Sequence, residues 1–276
     1  MGAELLEPRG MLNALRLIKQ AILSRLDPWR YPPHHITRGD PRVRSFALTF
    51  DADCGPCSIF DGTAARSILE SLRRANVRCT FFLTGRFIES FPELVGSIVE
   101  AGHEVGNHTY THPHLHSLDI PSFKRELSRT GEEFERVTGR RLAPYWRAPY
   151  GEYQRRLWKT AAGCGYTHIG WTHGGAVSEG FDSCDWVDDP QSNRYFAPGQ
   201  ILDRMLSSDM KNGAIALFHL GARKSNPVYV ILPKLIDGLA SMQYRMVRIS
   251  ELQASSRFSG HAGVAGPSVF EPHGRT

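Results

Sequence analysis

The 276-residue chain has no apolar run approaching the ~18 residues of a membrane span, which excludes a transmembrane helix. It has no block of five Lys or Arg, and its net charge of +5 is a mild excess, so charge gives no reason to expect nucleic-acid binding. Cysteine is scarce: Cys54, Cys57, Cys79, Cys164 and Cys184 are too few, and odd in number, for a disulfide scaffold. Glycine and proline follow no collagen-like period, and no internal repeat is visible. The N-terminal stretch MLNALRLIKQAILSRL is interrupted by Arg16, Lys19 and Arg25, so it lacks the apolar centre of a signal peptide. A cytoplasmic location is the default expectation, unless export uses a route that the sequence does not display.

The residues that are present suit a folded chain. Hydrophobic residues make up 41% and charged residues 22%, which supplies a core and excludes global disorder. Length alone admits two ordinary domains or one α/β barrel. Over residues 11–26, Leu12, Leu15, Ile18, Ile22 and Leu26 recur at helical spacing. This amphipathic helix is expected to pack on the main domain, with contact to a membrane surface as the alternative. The prolines of DPWRYPPHH then stop it.

Further on, apolar strand patterns at Ser45–Phe50, Arg78–Leu83, His103–His108, Ala143–Ala148, Tyr166–Trp171, Ala214–His219 and Tyr244–Ile249 alternate with helical patterns. The helices are expected at Gly62–Asn76, Pro92–Ala101, Ile120–Val137, Gln154–Gly163, Gly199–Asn212 and Val228–Gln243. Seven strands alternating with helices predict an α/β fold with a parallel, closed or nearly closed sheet. The expected layout is an N-terminal helix and Pro-rich connector at 1–43, a main domain at 44–252 and a loose tail at 253–276.

In such a sheet, function collects at the carboxyl ends of the strands. Asp51 and Asp53 follow the first strand, His108 and His112 the third, Arg147 and Tyr150 the fourth, and Asp185 and Trp186 come after the fifth. Leu217 and His219 end the sixth. His108 and His112, four apart, share a face if they lie on one helical turn, and two imidazoles with a carboxylate make an open metal site. Asp51 directly follows an apolar strand and needs a partner, for which Arg147 is suited. His103, His114, His116, His168 and His173 are expected to be surface or satisfied core residues. Cys54-Gly55-Pro56-Cys57, after a strand and before a helix, has the thioredoxin pattern. No tryptophan precedes it and acidic residues crowd it, so a connecting loop is expected and dithiol chemistry is the alternative.

Together these motifs resemble the polysaccharide deacetylase family, the NodB homology domain or carbohydrate esterase family 4, over about residues 44–252. Thr49-Phe50-Asp51 looks like its first motif, His108-Thr109-Tyr110-Thr111-His112 its second and Arg147-Ala148-Pro149-Tyr150 its third. Asp185-Trp186 and Leu217-Phe218-His219 look like the fourth and fifth. The resemblance implies a distorted (β/α)7 barrel, TIM-barrel-like and not necessarily complete. It implies Asp51 as catalytic base oriented by Arg147, His219 as general acid supported by Asp185, and the Tyr150 N–H as an oxyanion donor. Trp186 and Leu217 would line the acetyl pocket. His108 and His112 would hold a divalent metal, zinc first, with cobalt or manganese also suited to the ligand set. The chain departs from the family at Ala52, where a metal-binding Asp is usual. Asp53 is the expected third ligand, through a bulge that would restore its aim; Asp61 or water are the alternatives.

The implied activity is hydrolysis of N-acetyl groups on a sugar or polysaccharide such as chitin oligomers or peptidoglycan, releasing acetate. A metal amidase or deformylase acting on a smaller molecule, a thiol redox protein using Cys54 and Cys57, and a noncatalytic carbohydrate-binding relic are the other readings. No feature of the sequence sets an oligomeric state.

Overall fold

The computed structural model describes residues 35–53, 62–173, 180–207, 211–220 and 228–259. The helix expected at 11–26, Cys54, Cys57 and Asp61 lie outside the described residues, as do residues 260–276 of the tail.

The strands are β1 (His35–Ile36), β2 (Ser45–Ala52), β3 (Thr80–Leu83), β4 (Glu104–Asn107), β5 (Tyr145–Trp146), β6 (Thr167–Ile169), β7 (Ala214–His219) and β8 (Arg245–Met246). Helices α1 (Thr63–Arg74), α2 (Gly85–Ser90), α3 (Pro92–Glu100), α4 (Ile120–Thr138), α5 (Arg155–Gly163), α6 (Pro198–Ser207), α7 (Val228–Ser241) and α8 (Ile249–Ser259) alternate with them. All the paired strands are parallel, in the order β1-β6-β5-β4-β3-β2-β7, with β8 beside β2. The result is an α/β fold around a curled parallel half-barrel with seven strands on one path. The open edge of β7 is met by irregular chain. The Thr172 N–H donates to the Ile215 carbonyl at 3.0 Å, and Leu217 exchanges backbone hydrogen bonds with Phe181 and Ser183. Among the described residues no helix is long and apolar enough to cross a membrane.

Strand β2 shows how alternation builds two cores. Phe46, Leu48, Phe50 and Ala52 point outward into the layer beneath the helices. Ala47 points inward with Phe82, Tyr145, Ile169 and Ile215 to fill the barrel. The interior is tight: a Cβ on Gly106 would stand 2.6 Å from the Phe82 ring. Helix α4 starts on Asp119, which accepts from the Ser122 N–H at 2.7 Å, and ends on Gly139 at φ 65°.

Three elements differ from expectation. The sheet reaches back to His35–Ile36, which pair with His168 and Ile169. Helix α2, six residues capped by Thr84, is too short to show a helical period. Helix α8 runs to Ser259 through residues expected to be loose, because Leu252 is fully buried against Gly39 and anchors it.

Candidate active site

The carboxyl end of β2 places Asp51 beside His219 of β7, the two being register partners. With period-2 alternation, Thr49, Asp51, Leu217 and His219 share the inner face. Above the apolar filling of the barrel this face is polar.

Arg147, fully buried, joins four elements. Nη1 donates to Asp51 Oδ1 at 2.6 Å and to Thr49 Oγ1 at 2.9 Å. Nε donates to the Ile169 carbonyl and Nη2 to the Gly170 carbonyl, both at 3.1 Å. Its guanidinium carbon lies 4.2 Å from the Phe82 ring centroid. Burial works against the guanidinium charge, and Asp51 is the main counterweight. The expected pairing of Asp51 with Arg147 is therefore present, and it fixes one carboxylate oxygen.

The other oxygen, Oδ2, faces His108 Nε2 at 3.6 Å. His108 Nδ1 lies 2.9 Å from the Arg147 carbonyl. A carbonyl only accepts, so in the neutral ring Nδ1 carries the proton and Nε2 presents its lone pair. A lone pair aimed into a carboxylate-lined cleft is the arrangement a cation would satisfy.

His108 and His112 do not share a helical turn. Their segment is an irregular loop in which Thr109 and His112 adopt φ 66° and 56°. Those left-handed residues fold the loop back and bring the rings within 4.8 Å, nearly perpendicular. Non-glycine residues in this region are costly, and the surroundings hold them there. Glu126 on α4 accepts from the Tyr110 and Thr111 N–H groups at 2.8 and 2.7 Å, and from Thr111 Oγ1 at 3.0 Å. Asn107 Oδ1 accepts from the Thr109 N–H. The Tyr110 ring covers Gly85, where a Cβ would stand 2.0 Å from it. Glu126 is a positioning residue that sequence reasoning missed, because nothing in the helical pattern sets it apart from the other glutamates of α4. Burial pushes His112 down to about 3, and His108 adds to that, so the ring is neutral at physiological pH.

Ala52, at the position where the resemblance expects a carboxylate, points away from the site and packs under the helices. No bulge is present: β2 keeps its register with β3 through Asp51–Phe82 and Ala52–Leu83. Asp53 lies one residue past the end of β2, so strand alternation does not set its aim. Burial works to raise its carboxyl, but the fields of His219, His112 and His108 outweigh that and hold it below the usual value. Asp53 therefore lies within electrostatic reach of all three imidazoles. These side chains do not close to metal-ligand spacing: among the described residues, the set of three donors with all ligand atoms within 4.8 Å is His114, His116 and Glu152. The donor types of Asp53, His108 and His112 still suit a divalent transition ion.

On the neighbouring strand β7, His219 Nδ1 lies 2.6 Å from Asp185 Oδ1, and the His219 backbone N–H donates to Asp185 Oδ2 at 2.9 Å. Ser183 Oγ donates to Asp185 Oδ1 at 2.8 Å. Burial alone would lower His219; Asp185 dominates, with Asp53 and Asp51 behind it, and raises it to about 10. The imidazolium is the resting form.

Tyr150 has φ 56°, inside a 3-10 turn over Pro149–Gly151, and its ring stands between His112 at 4.5 Å and His114 at 4.1 Å. Leu217 is buried, whereas Trp186 is 44% exposed with Arg194 4.8 Å over its ring.

The sequence pattern of the polysaccharide deacetylase family matches residues 38–169. A chitooligosaccharide deacetylase from a Bradyrhizobium strain is 31% identical over 182 residues, 65% of this chain and 72% of that protein. A peptidoglycan-N-acetylglucosamine deacetylase of Bacillus cereus is 27% identical over 228 residues, 82% of this chain and 95% of that protein. Among solved structures, a CE4-family pseudoenzyme from Bacillus anthracis superposes with a TM-score of 0.67 at 28% identity, over 80% of this chain and 69% of that one.

Proposed function

We infer the chemistry from membership: this chain belongs to the polysaccharide deacetylase (CE4, NodB) family, and we read it as a metal-dependent hydrolase that releases acetate from an N-acetylated glycan. One observation carries the reading. A carboxylate held by Arg147 and an imidazolium held by Asp185 stand side by side as register partners on one sheet face. Amide hydrolysis needs such a pair, a base for water and an acid for a poor leaving group. The presence of a pseudoenzyme among the similar structures makes activity itself the first thing to test.

A divalent ion held by Asp53, His108 and His112 would polarise the acetyl carbonyl and acidify the attacking water. Asp51 accepts the proton of that water through the oxygen not bonded to Arg147. Arg147 holds the carboxylate in place during the attack. The Tyr150 N–H donates to the developing oxyanion, from a backbone already bent into the left-handed region. His219 gives its Nε2 proton to the departing amine while Nδ1 stays bonded to Asp185. Leu217 and Trp186 bound the acetyl methyl and the sugar above it. A polymeric or oligomeric N-acetylhexosamine accords with the substrates named for the relatives, chitooligosaccharide and peptidoglycan.

The test is acetate release from N-acetylated chitooligosaccharides and from peptidoglycan, with and without chelator, by wild type and Asp51→Asn. Release that stops with chelator and in Asp51→Asn supports the reading. No release from any N-acetyl glycan by metal-loaded wild type overturns it.

A further inference from the structure

Residues outside the acid–base cleft form the tightest donor cluster among those described. Glu152 Oε1 lies 2.8 Å from His114 Nδ1 and 3.5 Å from His116 Nδ1. Its other oxygen accepts from the Leu115 N–H at 2.7 Å, so the carboxylate is anchored while one oxygen is shared between two rings. Leu115 is fully buried and roots the 3-10 turn that carries both histidines. The carboxylate comes from a different segment, just after β5. Tetrahedral zinc with bonds of about 2.0–2.1 Å sets its ligand atoms about 3.3 Å apart. The 3.5 Å contact already has that spacing, and the 2.8 Å contact has to open by about half an ångström.

We propose that His114, His116 and Glu152 bind a second divalent transition ion, of the zinc class, at the rim of the cleft. Imidazole donors favour zinc, nickel or copper over magnesium and calcium, and three protein ligands leave a position for water. The site borders the catalytic one through a row of rings in contact: His108, His112, Tyr150, His114 and His116 follow one another with centroids 4.8, 4.5, 4.1 and 5.3 Å apart. An ion there ties the His112–Ser117 segment to the turn bearing Tyr150, and so stiffens the backbone that presents the Tyr150 N–H. The proposal does not depend on the deacetylase reading, since the donors belong to a separate cluster.

The test is zinc stoichiometry of the full chain, stripped of metal and dialysed against buffered Zn2+. The wild type should hold two ions per chain. His116→Ala with Glu152→Gln, one from each of the two turns, should hold one. His108→Ala with His112→Ala should also hold one, and combining all four substitutions should leave none. If the cleft binds no metal, the wild type holds a single ion that is lost in the rim variant and kept in the cleft variant. A rim variant that binds as much zinc as the wild type overturns the proposal, whatever the cleft does. Should the cleft variant fail to fold, the comparison of wild type with Glu152→Gln alone decides, because that change keeps the shape of the side chain.

Discussion

His219–Asp185 and His114–Glu152 are chemically the same contact, an imidazole Nδ1 against a carboxylate oxygen, at 2.6 and 2.8 Å. They differ in burial: the side chains are 12% and 0% exposed in the first pair, 54% and 17% in the second. In the cleft there is little water to share the charge. Asp185 therefore outweighs the burial of His219 and raises it to about 10. At the rim, solvent screens the pair and side-chain freedom opposes it, so the contact contributes little to stability. The same two groups thus make a fixed acid in one place and an adjustable set of donors in the other. Rigid neighbours complete the difference. Asp185 is held by Ser183 and by the His219 backbone at the end of a strand, whereas Glu152 sits between two turns.

The largest effect is expected from the cleft itself. Asp51→Asn and His219→Ala should each lower kcat by about 10²–10⁴, measured as acetate release, and keep the bound metal. With an acetyl ester of an acidic alcohol, His219→Ala should lose far less than with an N-acetyl sugar. Equal losses on both substrates would remove His219 as the acid.

Arg147→Met should come next. It strands Asp51 and two backbone carbonyls in the interior, at a cost of about 3–5 kcal/mol, read from urea denaturation at neutral pH. A cost near zero would mean that the buried cluster is no more than the rim pair turned inward.

Asp185→Asn sharpens the comparison through pH. His219 is raised above its ordinary 6.5 to about 10. Its stabilisation is therefore fully present below pH 6.5 and is lost as pH rises through about 10. The variant should pull the alkaline limb of the rate profile down toward 6.5. It should also narrow the stability difference from wild type as pH approaches 10. An unmoved limb would assign that limb to another group.

Glu126→Ala should weaken metal binding by about tenfold or more, the usual scale for groups that orient ligands, through loosening of the His108–His112 loop. Dialysis against buffered zinc measures it. The smallest effect belongs to the rim. Glu152→Gln should change stability by no more than about 0.5 kcal/mol, and a large loss on thermal melting would show that the rim pair is structural.

Much of this was legible before any coordinates. Phe46, Leu48 and Phe50 alternating with inward residues announce a buried strand, and Asp51 directly after them announces a charge in need of a partner. Arg147 is that partner at 2.6 Å. The loop between His108 and His112 was not legible. A spacing of four suggests a helical turn, but two left-handed residues and the carboxylate of Glu126 decide the shape, and neither leaves a periodic trace. His114 and His116 read as surface histidines, and they are exposed; their shared partner Glu152 lies 36 residues further along the chain, from His116, and only folding brings it near.

By itself, the amino-acid sequence determined which groups stand at the carboxyl ends of parallel strands, because strand pattern and strand-end polarity are local properties with a period of two. Only the tertiary structure decided how those groups are charged and aimed. The Arg147 fork, the Asp185 clasp on His219 and the contact of the His112 and Tyr150 rings each join segments distant in the chain. Charge state depends on burial and on neighbours within a few ångströms, and neither exists until the sheet curls around them.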